Sequence, residues 1–115
     1  MKSRHLRELH NLFKHDGDAI ALLYLADGVA AAGGHPLRFR EMAKEINQSS
    51  EYVPESSLQR CVQRLEVGGL IDVDRTDIRH PLYQPTTAGR RMAALLTFIL
   101  DSFDHNHEDP PTEPE

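Results

Sequence analysis

The sequence predicts a mainly α-helical domain with one small β-hairpin (α+β), the winged helix-turn-helix arrangement. Three observations carry this. Two helical apolar stripes, at 39–46 and 58–65, are separated by a polar turn. Two short extended pieces, "LIDVDR" and "PLYQPT", follow directly. A long amphipathic helix pattern starts just after Pro85. A hairpin placed immediately behind a two-helix unit is a wing.

Each element has its own local reason. "LRELHNLFKH" sets Leu6, Leu9 and Phe13 at helical spacing, with Leu12 beside them. "GDAIALLYLADGVA" is a second helix, with Ile20, Leu23 and Tyr24 on one face and Asp18 as its cap. "AAGGHP" stops it, and "LRF" is long enough for only a short strand. "FREMAKEIN" resumes a helix with Phe39, Met42, Ala43 and Ile46 in its stripe.

After the polar "QSSEYV", Pro54 suits a first helical position, because its missing N–H would be unbonded there anyway. The helix over 54–67 turns Leu58, Cys61, Val62 and Leu65 inward, within an arc of about 100°. "GGL" closes it, with Gly68 or Gly69 left-handed and Leu70 folding back on the last turn. The wing covers 70–86, with Pro81 and Pro85 at the ends of its second strand, where no ladder donor is needed. Thr86 or Thr87 caps the last helix, and Gly89 lets that helix approach the hairpin closely.

At 115 residues one domain is expected, over 1–104, with an acidic disordered tail at 105–115. The net charge of −5 is unevenly placed. Residues 101–115 hold six acids and neither Lys nor Arg, so the other residues carry 13 basic and 12 acidic groups. A near-neutral body permits a local basic face. The N-terminus has no apolar core of a secretory signal, no run is long enough to span a membrane, and Cys61 is alone. A reducing cytoplasm is the expected compartment.

The face of helix 54–67 opposite its stripe carries Ser56, Gln59, Arg60 and Gln63, with Arg64 on its flank and Ser57 nearby. Gln pairs with adenine and Arg with guanine in a major groove, and Ser serves phosphate or base. The plain alternative is a solvated helix face. Arg75, Arg79 and His80 at the wing could reach phosphates or the minor groove, and Asp72, Asp74 and Asp77 on the same hairpin oppose this. Cys61, on the apolar stripe, reads as a small core residue rather than a sensing thiol. His5, His10 and His15 recur every five residues, which spreads them around a helix, so no metal site is expected. No phosphate loop or activated nucleophile is present in the sequence, and neither an enzyme nor a cofactor is expected.

"LRFREMAKEI", "LQRCVQRLEVGGLIDV" and "YQPTTAGRRM" together resemble the HxlR-type winged-helix transcriptional regulators. Arg38, Phe39, Leu58, Val62, Leu65, Glu66, Gly69, Leu70, Tyr83, Thr86, Gly89 and Arg90 stand at the matching places, over about residues 18–103. The resemblance implies sequence-specific binding of double-stranded DNA by a homodimer, usually a repressor, and adds Arg38 to the candidate DNA contacts. Three departures stand out. The turn before Leu58 is about four residues longer than the family's, Pro85 replaces a leucine, and the N-terminal cysteine of some members is absent.

The terminal helices supply the expected dimer interface. Ala88, Met92, Leu95, Leu96, Ile99 and Phe103 fall on one face of the last helix, with Phe98 off that stripe. The interface residues are Leu6, Leu9, Phe13, Leu95, Phe98, Ile99 and Phe103. A winged-helix module that binds protein rather than DNA is the competing expectation.

Overall fold

A computed structural model of the chain describes residues 15–49 and 52–108. The predicted N-terminal helix, with Leu6, Leu9 and Phe13, lies outside them, as does the side chain of Phe103. The order is α1 (Asp16–Ala31), β1 (Leu37–Arg38), α2 (Phe39–Asn47), α3 (Glu55–Val67), β2 (Ile71–Asp74), β3 (Leu82–Pro85) and α4 (Thr87–Glu108). The strands form one antiparallel sheet in the order β1-β3-β2. Tyr83 stands opposite both Leu37 and Val73, so β3 is central there. Pro85 pairs only with Ile71 of β2, and its missing donor costs the ladder nothing on the β1 side.

Helix α1 is the hub. It packs on α2, α3, α4 and the sheet, and it buries Ala21, Leu22, Leu25 and Val29. Ile20, Leu23 and Tyr24, the face picked out by spacing, are only partly covered. The reason is that α1 is apolar nearly all round. A helix with neighbours on several sides has no single stripe for periodicity to find.

Asp18 is not the cap either. The helix begins at Asp16, His15 occupies the cap position without a side-chain bond, and the Asp18 carboxylate turns inward. Pro54 is likewise one place off: it is the N-cap of α3, and its carbonyl accepts from the Leu58 N–H at 2.9 Å.

The junction from α3 into the wing is closed by local chemistry. Gly69 has φ 78, open to glycine at no steric cost, and the Leu70 N–H donates back to the Leu65 carbonyl at 2.9 Å. Thr86 then joins three elements. Its hydroxyl donates to the Gly69 carbonyl at 2.7 Å and accepts from the Gly89 N–H at 3.0 Å, capping α4. A Cβ on Gly89 would collide with the Leu70 backbone carbonyl, so only glycine admits this approach.

The single stripe expected on α4 divides in two. Met92, Ala93 and Leu96 are buried on the domain's own core, whereas Leu95, Phe98 and Leu100 are exposed and Ile99 half-buried. The helix runs to Glu108. Among the described residues no helix is long and apolar enough to cross a membrane.

Candidate nucleic-acid interface

Helix α3 presents two faces of different chemistry. Leu58, Cys61, Val62 and Leu65 are buried against α1 and the sheet. Ser56, Gln59, Arg60 and Gln63 are exposed on the other side. At about 100° per residue these four share one strip with Val67, which is 89% exposed. Ser57 departs from them. It is half-buried at the side of the helix and lines a cavity of about 570 Å³ with His15, Tyr52, Arg60 and Cys61.

Arg64 has a different setting from Arg60, one turn earlier. Its Nε donates to Asp18 Oδ2 at 2.9 Å and its Nη2 to Asp18 Oδ1 at 2.7 Å. The Asp18 side chain is 3% exposed and that of Arg64 40%. The hydrogen bond to Asp18 raises the Arg64 pKa further. The fork is therefore committed inside the protein, and it fixes how α3 sits on α1. Arg64 does stand on the exposed flank that spacing gives it, but spacing could not show its partner, which lies 46 residues away.

Cys61 lies in the same junction, with Arg64 Nη2 at 3.5 Å from its sulfur. Burial pushes the thiol up to about 12, the Asp18 carboxylate adds to the rise, and Arg64 opposes it. A protonated, buried thiol is a core residue, not a sensing group.

The wing is organised by its own acids. Asp74 Oδ1 accepts from the Thr76 N–H and hydroxyl, at 2.9 and 2.6 Å, and these bonds hold its carboxyl below the usual range. Asp77 Oδ1 accepts from the Arg79 N–H at 3.1 Å. Two of the three acids that oppose a DNA role thus serve the hairpin turn. Arg75 forks onto Glu66 at the end of α3, with both bonds at 2.7 Å. That pairing holds the Glu66 carboxyl low. Arg79 and His80 are exposed, and Ile78 between them and the turn is 85% exposed.

Arg38, Arg79 and His80 do come together. With Phe39, Arg40, Glu55 and Pro81 they line a cleft of about 340 Å³ between the start of α2, the start of α3 and the returning wing. Arg40, Val67 and Ile78 were missed by the sequence reading. Alternation could have flagged Arg40 beside Arg38, but only the folded wing shows that both face it. Among the described residues no cluster of His, Cys, Asp or Glu could hold a metal ion.

No protein-family model and no curated protein matches the chain. Solved structures do. A Ralstonia eutropha protein described as DNA-binding is 26% identical, with 70% of this chain and 94% of that one covered and a TM-score of 0.59. A MarR-family transcriptional regulator from Rhodococcus is 20% identical over 84% of this chain and 62% of its own, at a TM-score of 0.64. Streptococcus pneumoniae FabT, solved in complex with DNA, is 15% identical over 84% of this chain and 61% of its own, at 0.61. Together with the four helices and three-stranded sheet of the described residues, these likenesses establish that the chain has the winged helix-turn-helix fold.

Proposed function

We propose that the protein is a DNA-binding transcriptional regulator of the HxlR type, acting as a homodimer that represses the genes beside its operator. The observation that carries this reading is the free strip of α3, where Ser56, Gln59, Arg60 and Gln63 stand clear of the core next to the wing. An exposed helix of this width enters a major groove, and its Gln and Arg side chains suit base edges. The fold is shared with FabT, solved on DNA, and with MepR from Staphylococcus aureus, also solved as a DNA complex. Arg64 leaves the set of base readers and becomes the residue that positions α3. Arg75, Arg79 and His80 stay on the backbone or minor-groove side.

The exposed outer face of α4, with Leu95, Phe98 and Ile99, supports the dimer. A terminal helix with a 69% exposed Phe has apolar area that a second copy would cover. Sedimentation at tens of micromolar should give twice the 13.0 kDa chain mass. A monomer alone at that concentration would remove this part.

The test of the whole reading is selection of bound fragments from a random DNA pool, followed by Arg60→Ala and Gln63→Ala. Each should narrow the gap between selected and random DNA, a bidentate pair being worth about 1–3 kcal/mol of discrimination. A second reading, a protein-binding module, draws on Asp72, Asp74 and Asp77 in the wing and on the Arg75–Glu66 pair. It becomes the better one if the wild type recovers no DNA at low salt.

A further inference from the structure

The arginines of the described domain differ in what their guanidinium groups meet. Arg64, Arg75 and Arg90 are engaged internally, with Asp18, with Glu66, and with the Pro85 carbonyl and Thr87 hydroxyl respectively. The guanidinium groups of Arg38, Arg40 and Arg79 have no carboxylate partner among the described residues. Yet these three line the same cleft. They reach it from separate places in the chain, the end of β1, the first turn of α2 and the wing's return. Three cations gathered at one place repel one another, and the one carboxylate in the cleft, Glu55, balances only one of the three charges.

We propose that this cleft holds one phosphate of the DNA backbone, with Arg38, Arg40 and Arg79 as its ligands. The inference rests on the DNA-binding reading above and assigns Arg40 a contact that reading lacks. The location fits. Glu55 opens α3 inside the cleft, and Ser56 of the free strip is the next residue. A helix lying in a major groove is bordered by a phosphate backbone, so a pocket beside its first turn meets phosphate rather than a base edge. The side-chain chemistry fits as well, since guanidinium forks match phosphate oxygens and keep their charge at any working pH. The cleft is also braced: the Phe39 ring lies tilted on Tyr83 at 6.1 Å, and Pro81 stiffens the wing side.

Glu55 is the carboxylate in this cleft, and it sharpens the test, because its charge opposes a phosphate. Binding of the full chain is measured on the selected duplex and on a random one across a salt series. Arg40→Ala and Arg79→Ala should each weaken both duplexes by roughly fivefold to tenfold, with the ratio between duplexes unchanged. The double variant should lose less than the product of the two single effects, because both act on one phosphate. Glu55→Gln should tighten both duplexes, a gain that partial unfolding cannot imitate. Arg40→Lys, which keeps a charge without the fork, should recover part of the loss. Losses that multiply in the double variant would mean separate phosphates and overturn the shared cleft. Wild-type affinity in Arg40→Ala would overturn it too, while leaving DNA binding intact. Absence of DNA binding by the wild type would overturn both.

Discussion

Helix α3 is tied to the rest of the domain twice by the same chemistry, an arginine forked onto a carboxylate, in two very different surroundings. At the α1 junction the carboxylate of Asp18 is almost wholly out of water. At the wing, the Arg75 and Glu66 side chains are 57% and 32% exposed. The difference decides what each pair can do. A buried carboxylate cannot find another partner, so it dictates where Arg64 sits and with it the angle of α3 on α1. An exposed carboxylate exchanges its partner for water at little cost, so the wing is guided rather than fixed. One end of the candidate interface is set by the core, and the other is free to adjust to what it meets.

The largest effect expected from breaking this contrast is in Arg64→Ala. Breaking a fully buried pair costs about 3–5 kcal/mol; with the guanidinium 40% exposed, screening brings the expected loss to about 2 kcal/mol. Urea unfolding checks this. A loss no larger than that of a surface substitution would show that the junction does not fix α3.

The next effect is a pH limb from the buried junction. The Cys61 thiol is pushed from 9.0 up to about 12 by burial. Because the folded value is the raised one, stability from the neutral thiol is complete below pH 9. It is lost as pH rises from there toward 12, as the unfolded chain ionises first. The slope can reach about 1.4 kcal/mol per pH unit, and Cys61→Ala should remove this component. Unfolding free energies measured between pH 8 and 10 in both proteins test this, and parallel curves would mean the thiol is not buried as described.

The smallest effect is expected at the wing. Arg75→Ala and Glu66→Gln should leave the unfolding midpoint where it is, because water replaces each lost partner. They should differ on DNA. Glu66→Gln frees a cation beside the interface and should strengthen binding to random duplex, whereas Arg75→Ala should not. Equal behaviour of the two variants in a salt-dependent binding assay would show that Arg75 takes no part.

Much of the fold was legible because its signals are local. The stripe of α3 at Leu58, Cys61, Val62 and Leu65, a left-handed glycine at Gly68 or Gly69, a threonine cap at Thr86 or Thr87 and the close approach at Gly89 each follow from residues within a few positions of one another, and the folded chain chose Gly69 and Thr86. The hairpin was legible from two short extended pieces and the prolines that bound the second. The exposed strip of α3 was legible as well, since a helix with one clear apolar side has only one other side to offer.

What the sequence by itself determined about this protein is therefore the order of the described elements, the turns into and out of the wing, and the two faces of α3. Short-range sterics and hydrogen bonding set all of these. Only the tertiary structure decided which way α1 faces, because a helix apolar on every side takes its orientation from its neighbours. It decided that α4 divides into a buried and an exposed face, because periodicity cannot tell a core from an exposed apolar surface. It also decided which arginines are committed and which are free. Asp18 and Arg64 stand 46 residues apart, and Arg38, Arg40 and Arg79 line one cleft only after the wing has folded over α2. Charges act through space, and spacing along the chain carries no record of such distances until the chain is folded.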